Sequence, residues 1–445
     1  MVKSFGGFKE VRTDESYEKL MFDYVKNICE EFGPREHCSP AEIEALKKTG
    51  KILEKYCDSV EAEEYDCHPR GFLGYIRWFI WFYIAALLLY WTDWTWWLGF
   101  NPAFLWPLSI VGAAMIAFAF IVLFLQLMYL AEFVDPVFPK KRSLNIVGKL
   151  KPKGKAERLV ILGAHVDSAY EFTLSSKLGR GSYAVMIAGI VAAASLMAAS
   201  IMKFMGILLM GYPAPLWPTP IPSINAVIYQ SSSLLRAALG MLDPQIFLWL
   251  VGAVFVFLVS YFFVNTRKLA LGANDDLAGV AAIIGAAKYL SQNRPERTEV
   301  WIVAFGNEES MRGSKRFVEK HYKELAERRA YTVNVEMVGC SSPLVASTAE
   351  PMFLAKHSPE VYELLVEAGK AKGIPVKTGA MPFGGTDSAN FSRKGLLASA
   401  LLRIGKETEA LWHTPKDTPE NVDAGKIREA LEVLLEFVNL VDKKK

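Results

Sequence analysis

Six short polar clusters stand where apolar runs end, and their residue types are those of a metal site. They are His165-Val166-Asp167, Gly272-Ala273-Asn274-Asp275-Asp276, Gly306-Asn307-Glu308-Glu309, Glu336 within "NVEMVG", Gly385-Thr386-Asp387-Ser388, and His413 within "LWHTPKDTPENVD". Each has a plain structural explanation when taken alone. A lone histidine is more often structural than a ligand, Asp-Asp before a helix is commonly an N-cap, and Glu-Glu after a strand is commonly a solvated loop. Two histidines and several carboxylates brought together, with at most one cysteine nearby, make a donor set suited to zinc rather than a thiolate structural site. Were such a set to hold two Zn²⁺, the ions would bring four positive charges and three carboxylates would return three. The residue of charge lowers the pKa of a shared water from about 15.7 towards ~7. A neighbouring carboxylate can then take the water's proton and pass it to a leaving amine. Adjacent Glu308 and Glu309 can hold different jobs, because neighbours at the end of an extended strand point in different directions. Asp167 beside His165 fits a carboxylate–histidine–zinc arrangement.

These residues need a scaffold that gathers them. "EVWIVAFG", "YTVNVEMVG" and "LLASALL" read as strands, and "DLAGVAAIIGAAKYL" and "AGKIREALEVLLEFVNLV" as helices. Continuous apolar strands alternating with helices predict an α/β fold, a mostly parallel sheet sandwiched by helices. In such a sheet ligands bind at the carboxyl ends of the strands. His165, Glu308, Glu309 and Glu336 follow or end predicted strands, so they should project from one edge of one sheet. Two further helices are expected near the start, over "SYEKLMFDYVKNICEEFG" and "SPAEIEALKKTGKILEKY". Ser39 is the N-cap of the second, Pro40 lies in its first turn and Glu42 is at its third position.

The stretches "GAHVDS", "GANDDLAGVAA", "FGNEESMRGS", "NVEMVG", "GGTDSANF" and "WHTPKDTPENVD" occur in this order. In order and spacing they resemble the co-catalytic di-zinc exopeptidases of the bacterial leucyl aminopeptidase and aminopeptidase Y type, relatives of glutamate carboxypeptidase and glutaminyl cyclase. Residues 17–70 resemble that family's N-terminal helices. The resemblance implies a zinc exopeptidase fold, a zinc-dependent hydrolase and two Zn²⁺ per chain. It implies that His165, Asp275, Glu309, Glu336 and His413 are the metal ligands, with Asp275 shared. Glu308 would be the general base, Asp167 would orient His165, Asp276 would follow Asp275 through an unusual peptide geometry, and Asp387 would support the site from outside. Two positions depart from the family: many members have Asp in place of Glu336, and often His in place of Ser388.

Apolar blocks interrupt this scaffold. Phe72 to Tyr90, Ala103 to Leu130, Tyr183 to Met210 and Gln245 to Val264 are each about the length a bilayer needs, ~20 residues. Four spans, in two inserted hairpins, are therefore expected. Buried core helices are disfavoured for the first block, where only Arg77 and Asp93 are charged before Glu132. Arg77 can snorkel to the headgroups, and the tryptophan cluster "WTDWTWWLGFNP" fits an interfacial belt. The 211–244 connection is proline-rich and ends in "SSSLLRAALGMLDP", which reads as a short amphipathic helix. The chain thus divides into N-terminal helices of a peptidase domain (1–70), hairpin 1 (71–134), strands with the first metal ligand (135–176), hairpin 2 (177–266) and the remaining catalytic core (267–445). Lys140, Lys141, Arg142, Lys177, Arg180, Arg267 and Lys268 flank the hairpins on one side, which places the catalytic pieces in the cytoplasm.

Composition bounds the rest. Of 445 residues 52% are hydrophobic, and 50 basic residues nearly balance 47 acidic ones. That is no basic stripe, so no nucleic-acid partner is expected; the expected partners are a lipid bilayer and a peptide or amide substrate. The first twenty residues carry Lys3, Lys9, Glu10, Arg12, Asp14, Glu15 and Glu18 with no apolar core, so no signal peptide is read there. Cys29, Cys38, Cys57, Cys67 and Cys340 show no CxxC pairing and read as mostly reduced, with a Cys57–Cys67 bridge open. Three functions are weighed: a membrane-embedded zinc aminopeptidase for short or apolar peptides, a zinc amidohydrolase for lipid-like N-acyl amides, and an inactive peptidase-like scaffold. The complete set of candidate ligands disfavours the last.

Overall fold

Residues 13–91, 107–179, 181–210, 248–259, 265–381 and 383–444 are described by a computed structural model of the chain. They form two units. One gathers Met1–Leu73, Gln126–Phe172 and Asn265–Lys445; the other gathers Gly74–Leu125 and Thr173–Val264.

The first unit is built on strands that are apolar on both faces. In the strand Arg158–His165, Val160, Leu162 and Ala164 face one hydrophobic layer while Leu159 and Ile161 face another. A period of two with apolar residues on both sides requires helices above and below the sheet. One layer holds the helices Glu15–Phe32, Ala278–Gln292 and Ala424–Lys443; the opposite layer holds Gly313–Glu327 and Ser388–Arg393. Trp301, Phe305, Phe317 and Phe391 interlock in that opposite layer, with Phe305 and Phe317 ring centroids 5.6 Å apart. Gly163 is required by this packing, because a Cβ there would lie 2.6 Å from the Phe305 ring.

In chain order the strands are β1 (Ser59–Cys67), β2 (Lys141–Leu150), β3 (Arg158–His165), β4 (Tyr170–Glu171), β5 (Asn265–Leu269), β6 (Thr298–Phe305), β7 (Tyr331–Glu336), β8 (Leu344–Glu350), β9 (Ala355–Lys356), β10 (Val376–Ala380) and β11 (Leu397–Arg403). The main sheet runs β1-β2-β6-β3-β7-β11-β8-β10, with β9 on β8, and β4 pairs with β5 apart from it. The four central strands β6, β3, β7 and β11 are parallel. Both flanks are antiparallel, where β2 meets β6 and where β8 meets β11. The sheet is thus mixed, with a parallel centre. The helix Pro40–Leu53 starts as the sequence predicts: the Ser39 hydroxyl accepts from the Glu42 amide and Pro40 occupies the first turn.

Among its described residues the second unit holds long helices that are apolar all round. Phe79, Tyr83, Ala86, Ile116, Ala192, Leu196, Leu250 and Phe257 form its buried centre, while Trp81, Leu88, Phe118, Ile121, Ile187, Ile190 and Phe255 point outward. Helices greasy on every face suit a lipid surround. Among the described residues three helices are long and apolar enough to cross a membrane: Pro69–Tyr90, Leu108–Met128 and Ala184–Met202. The expectation of four spans is corrected to these three. The fourth candidate, Gln245–Val264, shows only the shorter apolar helix Leu248–Val259, and its flanks lie outside the described residues. A helix of that length rises about 18 Å, short of a ~30 Å hydrocarbon core. The tryptophan-rich stretch 92–106 and the 211–244 connection also lie outside the described residues. All five cysteines are free; Cys67 Sγ lies 3.0 Å from Cys38 Sγ and is not bridged to Cys57.

Candidate metal centre

The parallel centre of the sheet brings the expected residues to one edge. His165 is the last residue of β3, Glu336 is the last of β7, and Glu308 and Glu309 stand on the turn after β6. In-register pairing of β3 with β6 and β7 is what sets these ends side by side. Asp275 arrives from the segment before the helix Ala278–Gln292, and His413 from the loop after Lys406–Leu411.

The geometry divides the donors around Asp275. His165 Nε2 lies 3.3 Å from Asp275 Oδ1 and 3.4 Å from Glu336 Oε1. His413 Nε2 lies 3.3 Å from Asp275 Oδ2 and 3.4 Å from Glu309 Oε2. Tetrahedral zinc with ligand bonds of 2.0–2.1 Å separates neighbouring donors by about 3.3 Å. Each carboxylate oxygen of Asp275 therefore faces a different histidine at the spacing of a shared ligand. Glu308 Oε2 is farther from His165 Nε2, at 3.7 Å. Proximity alone also groups His165, Glu308 and Glu336 as an ion-holding triad, beside His165, Asp275 and Glu309. One imidazole nitrogen serves one ion, so both triads cannot be filled as they stand. The division around Asp275 uses both histidines and leaves Glu308 free.

The residues fit a cation. His165 Nε2, Asp275 Oδ2, Glu308 Oε1, Glu309 Oε1 and Glu336 Oε2 are buried polar atoms without a hydrogen-bond partner, an arrangement that costs free energy unless something binds them. Burial pushes the Glu308 and Glu309 carboxyls well above the usual range, and Glu336 up to about 8. Against the upward push of burial, the imidazoles of His165 and His413 hold Asp275 below its usual range. Burial opposes charging of His165, yet the carboxylates of Glu308, Asp167, Asp275 and Glu336 raise it well above an ordinary imidazole. So many acidic groups in one dry pocket repel one another, and a multivalent cation relieves that.

Surrounding residues hold this set in place. Asp167 Oδ1 stands 3.4 Å from His165 Nδ1. Its carboxylate also accepts from the Glu308 and Glu309 amides, at 3.0 Å each, so it ties the histidine to the glutamate turn. The Asp275–Asp276 peptide is cis, and the Asp276 carboxylate accepts from the amides of His165, Gly279 and Met337. Asp387 lies buried beside the cluster with Oδ1 unpartnered, pushed by burial up to about 7. Ser388 is buried next to it, its amide bonded to Thr386 Oγ1.

Three supporting residues escaped the sequence reading. Asp417 accepts from the Asn274 amide at 2.6 Å and the Asp275 amide at 3.1 Å. Its signal was in the quoted "WHTPKDTPENVD" but resembled a loop acid. Glu42 serves more than its helix: its carboxylate accepts from the Cys38 amide, Ser143 Oγ and the Asn307 amide, which fixes the left-handed turn before Glu308. Arg35 is fully buried and donates to the carbonyls of Val166, Leu271 and Gly272, stitching the His165 loop to the Asp275 loop. Neither Glu42 nor Arg35 carries a local pattern that would reveal a partner so distant in sequence.

Residues 259–438 match Peptidase family M28. Aminopeptidase YwaD of Bacillus subtilis (strain 168) is 27% identical over 167 residues, which cover 36% of this chain and 35% of that protein. The match thus spans about a third of that relative's length. Among solved structures, a zinc aminopeptidase from Bacillus subtilis is similar at 15% identity and a TM-score of 0.52, covering 96% of both chains. The aminopeptidase of Aneurinibacillus sp. strain AM-1 gives 14% and 0.52 over 96% of this chain and 93% of that one. A glutaminyl cyclase from Bacteroides thetaiotaomicron gives 13% and 0.52 over 98% of this chain and 100% of that one. The structural likenesses speak for the fold, and the matched sequence carries Asp275, Glu308, Glu309, Glu336 and His413. Together they show that residues 259–438 are similar to peptidase family M28 and that the chain has the fold of the zinc aminopeptidases compared above.

Proposed function

We propose that the protein is a membrane-embedded di-zinc aminopeptidase acting on short or apolar peptides. The observation that carries this reading is the division of Asp275, whose two oxygens face His165 and His413 respectively. In this reading His165, Asp275 and Glu336 hold one zinc, and Asp275, Glu309 and His413 hold the other. When bound, the two ions supply Lewis acidity, polarising a substrate carbonyl and making nearby water more acidic. Glu308 is the general base. Its Oε1 is unpartnered in the dry pocket, free to accept a proton from the attacking water and return it to the leaving amine. Asp167 is a positioning residue that orients His165 and holds the Glu308 amide.

Support for peptide chemistry comes from the aminopeptidase YwaD match, extended here to this chain. The outward apolar faces of the helices favour a second substrate class, lipid-like N-acyl amides reaching the site from a bilayer. A substrate screen in detergent separates the two. Purified protein with about two zincs per chain is expected to cleave aminoacyl chromogenic amides and to leave their N-acetylated forms untouched. Turnover of N-acyl amino acids alone would replace the aminopeptidase reading with the amidohydrolase one, and a metal-free, inert protein would end both.

We further infer that the helical unit crosses the bilayer and that the catalytic unit lies on the cytoplasmic side. The chain leaves the catalytic unit before each apolar block and rejoins it afterwards, and the described residues of these blocks include the three helices long and apolar enough to cross a membrane. Lys140, Lys141, Arg142 and Lys177 flank the blocks on the catalytic side. A green fluorescent protein fused after Lys445 should fluoresce, and an alkaline phosphatase fused there should be inactive. The reverse pattern would place the site outside.

A further inference from the structure

The turn Asn307–Met311 carries both Glu308 and Glu309, and it is left-handed at each end, with φ of 56° at Asn307 and 58° at Met311. A non-glycine turn of this kind needs outside support. From one side it is held by Glu42 and Asp167. From the other it is held by Arg312, whose amide donates to Asn307 O at 3.1 Å and whose Nη1 donates to Ser310 O at 2.9 Å.

Arg312 is fully buried, and what balances its charge is a segment outside the sheet and its helices. Asp135 takes it side-on, with Nε–Oδ2 at 3.0 Å and Nη2–Oδ1 at 3.1 Å. Asp135 is itself 1% exposed. It belongs to the short turn that follows the apolar helix ending at Met128. The residues on either side of the first apolar block meet at this pair. Gln126 Nε2 donates to Asp135 Oδ1 and to Gly71 O, and the Arg312 guanidinium lies over the Phe72 ring, 5.7 Å from its centroid. Gly71 is packed so tightly here that a Cβ would come within 2.6 Å of the Asp135 carboxyl carbon. Around the rim Glu132 pairs with Lys315 and Arg316 of the following helix.

We propose that Asp135 and Arg312 are a positioning pair through which the roots of the first apolar hairpin fix the turn presenting Glu308 and Glu309. The pair touches neither substrate nor metal. It acts by holding the turn at the point where the general base and one ligand of the shared site diverge. The proposal rests on the roles given above to those two glutamates, and it predicts that the catalytic geometry is set partly by where residues 71–72 and 126–135 are anchored.

The test uses the full-length protein in detergent, with zinc and with cobalt in its place. Asp135→Asn is expected to lower kcat by about tenfold to a hundredfold, the scale of an ångström-sized misplacement, with KM changed by less than about threefold. Its cobalt-loaded form should show altered visible d–d absorption, because the Glu309 carboxylate is displaced. Asp135→Glu should recover most of the loss. Gly71→Ala changes no charge and should act in the same direction by pushing Asp135 off Arg312, which keeps the test decisive if Asp135→Asn folds poorly. Glu429→Gln, which breaks the 2.6 Å pair with Arg403 elsewhere in the unit, should leave kcat and the cobalt spectrum as in the wild type. The inference is overturned if Asp135→Asn and Gly71→Ala keep wild-type kcat and cobalt spectra, whatever their thermal stability. A wild type that binds no cobalt and cleaves no amide would instead remove the reading beneath it.

Discussion

Replacing Glu308 with Gln is expected to lower kcat by about 10²–10⁴-fold while two zinc ions stay bound, the range for loss of a positioned general base. The amide is nearly the same size and keeps the turn's backbone bonds to Asp167, so structure should hold. What it loses is the ability to accept and return a proton. Glu308 is the carboxylate farthest from its histidine, at 3.7 Å, where the proposed ligands stand at 3.3–3.4 Å. Metal content should therefore be unaffected. Steady-state kinetics with metal analysis on the same preparation checks this. A variant that lost one zinc along with its activity would show that Glu308 is a ligand and that the bridging assignment is wrong.

The second large effect is expected from Asp275→Asn. Both oxygens of Asp275 are committed, one towards each histidine, and the residue is 3% exposed. An amide offers one good acceptor in place of two, so zinc content should fall from about two to one or fewer, and hydrolysis should drop below detection. Stability offers an independent readout with a defined sign. In the metal-free protein the imidazoles of His165 and His413 favour a charged Asp275, so the change lowers stability somewhat there too. In the metal-loaded protein the same change removes binding energy, and ligand-linked stabilisation grows as RT ln(1 + [L]/Kd), about 4 kcal/mol at a thousandfold excess over Kd. The wild type should therefore lose several degrees of melting temperature on chelation, while Asp275→Asn should lose almost none. An equal chelator effect in both proteins would contradict a shared ligand at this position.

Much of the site was legible because its chemistry needs particular residue types at strand ends. His165, Glu308, Glu309 and Glu336 each follow an apolar run whose type and length marked a buried strand, and the structure brings them to one edge. Asp275 and His413 come from loops whose composition did not say where they would land; family likeness, rather than periodicity, pointed to them. The apolar helices were legible for a different reason, since hydrophobicity on every face is a property of composition. Their number was overread at Gln245–Val264, where residue type continues beyond the described helix Leu248–Val259.

The residue types by themselves pointed to a pool of candidate donors suited to a divalent cation, together with the apolar periods of strand and helix, because these depend on side-chain chemistry and local spacing. Only the tertiary structure decided that Asp275 divides its oxygens between two histidines, that Asp167 serves both His165 and the glutamate turn, and that Arg35, Glu42, Asp135 and Asp417 hold the loops in place. Those roles arise from contacts across hundreds of residues, where a buried charge takes whichever partner the packing presents, and no local spacing records which that will be.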